Sequence, residues 1–155
     1  MKFYTPKNKI LQKYIEGYYF ISPDDHQAPL KYYTFPSNFF ILSISHFAEV
    51  IVNDHQIIVR KSKDENLVTD FVPGYKKPIE IICEDWVPEI TIYFKPLGIN
   101  HFVHNPERFF NTTIGLDLNL FDDWESVMKR LFAEKDRALQ CEQLEAYWLS
   151  KLETK

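Results

Sequence analysis

The residues through which this chain of 155 residues could do chemistry are five histidines, two cysteines and several paired carboxylates. His101 and His104, in "INHFVH", stand three apart and would share a face of a short helix, a spacing that two metal ligands can use. No Asp or Glu follows at metal-site spacing, and HExxH is absent. Also missing is a pair of histidines separated by one residue with a glutamate a few positions on, which would aim metal ligands inward from a β-strand. His26 and His55 fall in turn-like segments, and His46 ends "FFILSISH". The His101/His104 pair therefore reads as part of a strand-to-helix junction, and no metal is expected.

Nucleophilic and phosphate chemistry leave no signature either. There is no GxSxG, and four glycines in all provide neither a P-loop nor a GxGxxG turn. The carboxylate pairs Asp24–Asp25, Glu84–Asp85 and Asp122–Asp123 sit in turns or at a helix start. General acid/base work needs two carboxyls converging from separate elements, which adjacency in sequence does not supply. Cys83 lies in an apolar run and Cys141 on an apolar helical stripe, with no CxxC, so both read as small buried hydrophobes in a reducing compartment. No catalytic residue and no cofactor is assigned, and the chain is expected not to be an enzyme.

Charge narrows the partners. The net charge of −4 argues against nucleic-acid binding by this chain alone, since neutralising phosphates takes a basic patch. "VRKSK" is the longest basic cluster, but Asp64 and Glu65 follow at once, and it reads as a solvated loop or hairpin. The N-terminus "MKFYTPKNKILQ" lacks the apolar segment of a signal peptide, and no run approaches membrane-spanning length. A soluble cytoplasmic protein with no membrane partner is the expectation.

The elements that would position these residues follow from periodicity. "KILQKYIEGYYFIS" predicts a short helical turn leading into a first strand. From Leu30 to Glu89 come "LKYYTFP", "NFFILSISH", "AEVIVN", "QIIVRK", "NLVTDFV" and "PIEIICE", runs of β-branched and aromatic residues separated by turn signals. "VIVNDHQIIV" predicts a hairpin with Asn53 and Asp54 available for positive φ. "EITIYFK" adds a strand with Ile90, Ile92 and Phe94 on one face and Thr91, Tyr93 and Lys95 on the other. Pro96 ends it, and Gly98 permits the turn that follows. "FDDWESVMKRLF" then shows a helical stripe, with Asp122 and Glu125 resembling a capping box. "DRALQCEQLEAYWLSKL" is a second amphipathic helix with Asp136 as its N-cap.

The fold class is thus α+β: an antiparallel β barrel or sandwich followed by C-terminal helices. One domain is expected over residues 1–155, with a β-rich core at 16–96 and a helical appendage at 97–153. Aromatics at 16% either fill such a β core or line an apolar cavity within it. If there is a ligand pocket, the candidates on the strands' inward faces are Tyr33, Phe35, Phe40 and Phe94. The C-terminal helices are expected to pack on their own sheet, burying Trp124 and Trp148.

Several segments, in order, resemble the N-terminal domain of a branch of AraC-type bacterial transcriptional regulators: "LQKYIEGYYF", "YYTFPSNFFILSIS", "IYFKPLGINHFV" and "LEAYWLSKL". They cover nearly all of 1–152. Where many relatives carry a Pro-Gly-Gly turn, this chain has Pro96-Leu97-Gly98, which could alter the loop's shape. The resemblance implies a sensory or dimerisation domain related to cupin-like β barrels. It would bind a small-molecule effector, pair as a homodimer, and reach DNA only through a C-terminal helix-turn-helix domain not in this chain. On that basis the reading frame is expected to continue past Lys155. The competing readings are a standalone small-molecule-binding β-barrel protein, a small cupin-like enzyme, or a dimerisation module without a ligand. A filled interior would favour the last.

Overall fold

The computed structural model describes residues 2–25, 29–34, 37–74, 76–116 and 119–152. Among these residues ten strands form two sheets, and two C-terminal helices close one side. The strands are β1 (Phe3–Tyr4), β2 (Ile15–Ile21), β3 (Leu30–Thr34), β4 (Phe40–His46), β5 (Ala48–Asn53), β6 (Gln56–Lys61), β7 (Leu67–Val72), β8 (Ile79–Cys83), β9 (Glu89–Phe94) and β10 (Gly115–Leu116). Sheet A runs β1-β2-β9-β4-β7-β10 and sheet B runs β3-β8-β6-β5. The helices are α1 (Trp124–Ala133) and α2 (Arg137–Lys151). The α+β class holds. Among the described residues the sheets do not join into a closed barrel.

One pairing departs from the expected antiparallel pattern: β6 and β8 run parallel, with Ile57 opposite Ile81 and Val59 opposite Cys83. The chain leaves sheet B after β6, reverses through β7 in sheet A, and returns to sheet B pointing the way it left. Alternation along each strand cannot reveal which sheet that strand joins. The β5–β6 hairpin is present with Asn53 opposite Gln56, but neither Asn53 nor Asp54 takes positive φ. The Asn53 side chain instead donates from Nδ2 to Gln56 Oε1 at 2.7 Å, a contact that ties the turn from outside. The edge strands β1 and β10, two residues each, are too short for a periodicity to announce.

Sheet A is covered on both faces. Toward the helices, Leu42, Ile44, Ile90, Ile92 and Phe94 pack with Phe102, Trp124, Met128, Leu144 and Trp148. Trp124 and Trp148 are buried, as the helical stripes required. Trp148 meets Phe94 edge-on at 5.1 Å and Phe102 at 5.4 Å, while Trp124 donates Nε1–H to Thr69 Oγ1 at 3.0 Å. Edge-to-face contacts of this kind add about 0.5–1.5 kcal/mol each beyond the burial itself. Toward sheet B, Val68 and Val72 meet Val50, Ile57, Val59 and Ile79 in a second, separate core.

The caps divide. Asp136 caps α2, accepting from the N–H groups of Ala138 (2.9 Å) and Leu139 (3.3 Å). Asp122 is not the cap of α1. That position belongs to Asp123, which makes no capping bond because its carboxylate accepts from Tyr147 Oη (2.9 Å) and pairs with Lys151 Nζ (3.1 Å). An acid that could have capped its own helix is drawn off to hold α2 against α1. At the β9 exit it is Leu97, not Gly98, that takes the left-handed conformation (φ 61, ψ 6). Gly98 serves a different need: a Cβ there would lie 2.3 Å from the Tyr14 carbonyl oxygen.

Candidate functional site

The inner face of sheet A carries an unusual row of residues. In register across β2, β9, β4 and β7 stand Tyr19 opposite Thr91, Thr91 opposite Ser43, and Ser43 opposite Asp70. Glu89 lies on the same face, two residues before Thr91, because side chains alternate along a strand. Tyr19, Ser43, Asp70 and Glu89 line a cavity of about 240 Å³ between this face and sheet B, with Thr91 between them in the row. Its other walls are apolar, with Ile41 and Val72 from sheet A and Ile57, Val59, Ile79 and Ile81 from sheet B. Rings border it as well: Tyr19, Tyr32, Tyr93 and Trp86. Leu30 and Tyr32, on edge strand β3, are half-exposed at its rim.

A hydrogen-bond chain sets the polarity of the row. Thr91 Oγ1 donates its single proton to Glu89 Oε2 at 2.8 Å. The 3.0 Å contact between Ser43 Oγ and Thr91 Oγ1 must then be donated by Ser43. Burial pushes the Glu89 carboxyl up from its ordinary value, and hydrogen bonds from Thr91 and Tyr19 only partly offset it. Asp70, 5% exposed, accepts no hydrogen bond from any described residue. Burial, and then the nearby Glu89, hold its carboxyl well above the usual carboxylate range. The same two causes, in the same order, raise the hydroxyls of Tyr19 and Tyr32 and push the Cys83 thiol up to about 11. A buried carboxyl with no donor must stay protonated or find a cation.

A larger concavity, about 820 Å³, lies between the N-terminal residues and α2. It is a trough bordered largely by exposed side chains, and its central acid is already engaged. Glu145 accepts from the N–H groups of Lys7 (2.9 Å) and Asn8 (3.0 Å) and from the Tyr18 hydroxyl. The smaller cavity is the better site because its acid is not satisfied from within.

Of the residues expected to line a pocket, none of the described ones borders this cavity. Tyr33 is 56% exposed and donates its hydroxyl to Glu80 Oε2 at 2.7 Å. Phe40 and Phe94 are buried, but in the core on the helix side of sheet A, where Phe40 stacks on Phe71 at 5.5 Å. Phe35 lies outside the described residues. Sheet A has two buried faces, so inward-facing aromatics do not distinguish core from cavity. Polar residues interrupting those faces would have: Asp70 in "LVTDFV", and Glu89 and Thr91 in "EITIYF".

The histidine junction is placed as a 3-10 turn, Gly98–His101, with the His101 ring stacked on Tyr14 at 4.2 Å. Among the described residues no group of three or more His, Cys, Asp or Glu side chains converges as a metal site would. Nor, among them, is any helix long and apolar enough to cross a membrane. No family model, no curated protein and no solved structure matches the chain.

Proposed function

We propose that this chain is the effector-sensing domain of an AraC-type transcriptional regulator, cytoplasmic, taking a small molecule between its two sheets and passing its occupancy to an attached DNA-binding domain. The observation that carries the reading is the cavity itself. A module built only to dimerise has no use for an unfilled interior holding a buried carboxyl that no described residue hydrogen-bonds, since both cost stability. The resembled segments support the regulatory context. β9, which supplies Glu89 and Tyr93 to the cavity, supplies Phe94 on its other face to the Trp148 of α2. A change in the cavity therefore has one strand to cross before it reaches the last helix, the element from which an output domain would follow.

The test is a fusion of this chain to a helix-turn-helix module that acts only as a dimer, read by a reporter gene while small molecules are screened. Ligand-dependent output supports the reading. Output that stays constant across every compound shown to bind the purified chain would overturn it. The chain by itself is expected to bind DNA only non-specifically at physiological salt, and a sub-micromolar sequence-specific titration would contradict that.

A further inference from the structure

The cavity's lining says what kind of molecule it takes. Two carboxyls, Asp70 and Glu89, face it, and no Lys, Arg or His is among the described residues that line it. Glu89 holds Thr91 and Tyr19 as partners, while Asp70 accepts a hydrogen bond from no described residue. Ser45, opposite Glu89 on the same face, is a buried hydroxyl with no hydrogen-bond partner among the described residues. The charge missing from this arrangement is positive. Four aromatic rings surround the acids, and aromatic faces attract cations, most strongly where water is excluded. The remaining walls, including Ile41, Val59, Val72 and Ile81, offer only apolar contact. An inorganic cation would leave that surface unused, and it would want more oxygen ligands than two carboxyls and a hydroxyl row present. A volume of about 240 Å³ equals that of roughly eight liquid waters, which suits a ligand of about eight to ten non-hydrogen atoms.

Resting on the sensing role proposed above, we propose that the ligand is a small organic cation: an ammonium group seated between Asp70 and Glu89, on an apolar or aromatic body packed against the isoleucines and valines of sheet B. The ammonium donates to the Asp70 carboxylate and balances one negative charge of the acid pair. The body displaces water from the apolar wall.

Three probes of one size separate this from the alternatives: 2-phenylethylamine, its neutral counterpart 2-phenylethanol, and the anion phenylacetate. Each is titrated into the intact chain at pH 7.5 by calorimetry, with thermal shift alongside. The amine is expected to bind at least about tenfold more tightly than the alcohol, with phenylacetate weakest; charge-assisted hydrogen bonds of about 1.5–3 kcal/mol set that scale. Asp70→Asn keeps the shape and is expected to lose the preference for the amine over the alcohol. Glu89→Gln is the second variant, expected to weaken the amine by a smaller factor. Folding of both is checked by their cooperative melts. Equal binding of amine and alcohol, or tighter binding of phenylacetate, would overturn the cation class and leave the sensing role standing. An amine preference unchanged in Asp70→Asn would overturn the assigned seat. Binding of none of the three at millimolar concentration would overturn the inference and count against the sensing role too.

Discussion

Asp70 stands directly opposite Ser43 in the β4–β7 ladder, yet the Ser43 hydroxyl turns the other way, to Thr91, and leaves the Asp70 carboxyl without a donor among the described residues. A buried acid left so is a standing cost in the unliganded protein. It is also a free contact for anything that brings a proton or a positive charge.

The first consequence is pH dependence. Asp70 and Glu89 both have folded-state affinities for protons above their ordinary values of 3.8 and 4.5. The folded chain therefore holds protons that the unfolded chain has released, and stability falls as pH rises. The contribution is complete below about pH 4 and is lost as pH climbs through the raised values. The other titratable groups facing the pair are Tyr19 from β2, Tyr32 from β3, Cys83 from β8 and Tyr93 from β9, none of which titrates in the acid range. Thermal melts from pH 4.5 to 8 are expected to show declining stability. Asp70→Asn is expected to flatten the decline and raise the midpoint at pH 8 by about 2–4 °C for each 1 kcal/mol relieved. A stability that rises over this range would refute the assignment.

The turn after β9 allows a paired test. Leu97 is 65% exposed and left-handed, so Leu97→Gly relieves backbone strain and gives up little packing. It is expected to stabilise the protein by about 0.5–1 kcal/mol. Gly98→Ala places a methyl against the Tyr14 carbonyl oxygen and is expected to destabilise it by about 2 kcal/mol or more. Equal and small effects from both substitutions would mean that the turn is conformationally indifferent.

The helix caps make a second pair. Asp136→Ala removes a side chain that accepts two backbone N–H groups and is expected to cost about 1 kcal/mol. Asp122→Ala, beside a helix that begins without a side-chain cap, is expected to change stability by less than about 0.5 kcal/mol. Chemical denaturation of the two variants side by side checks the contrast. A larger loss from Asp122 would restore the capping box inferred from "DDWE".

Trp148 joins the sheet to the helices, touching Phe94, Phe102, Phe121 and Trp124. Trp148→Ala is expected to cost about 3–5 kcal/mol. Thr69→Val leaves the Trp124 indole N–H buried without its acceptor and is expected to cost about 1–3 kcal/mol. Thermal melts of both variants against the parent measure the two losses. A Trp148→Ala variant that melts like the parent would mean that the helices are only loosely seated on sheet A.

How much was readable from residues alone differs by scale. The eight longer strands announce themselves through β-branched and aromatic runs between turn signals, and α1 and α2 through their apolar stripes, because each pattern is a local consequence of backbone geometry. The Asp136 cap was readable for the same reason, since a cap and its N–H groups are two and three residues apart. Contacts between elements were not. Asp123 leaves its own helix for Tyr147 and Lys151, and β8 runs parallel to β6 because β7 lies in the other sheet.

The site belongs to that second class. Alternation in "EITIYFK" correctly places Ile90, Ile92 and Phe94 on one face and Thr91 and Tyr93 on the other, and it is the second face that borders the cavity. What no spacing conveys is that both faces are buried, one filled by Trp148 and its neighbours and the other left partly empty. Nor does it convey that Asp70, Ser43, Thr91 and Tyr19, from four strands far apart in the chain, fall into one row. A strand's own residues decide which side chains share a face. Which partner meets that face, and how completely it fills it, is decided by strand order and register, which arise only when distant segments pack.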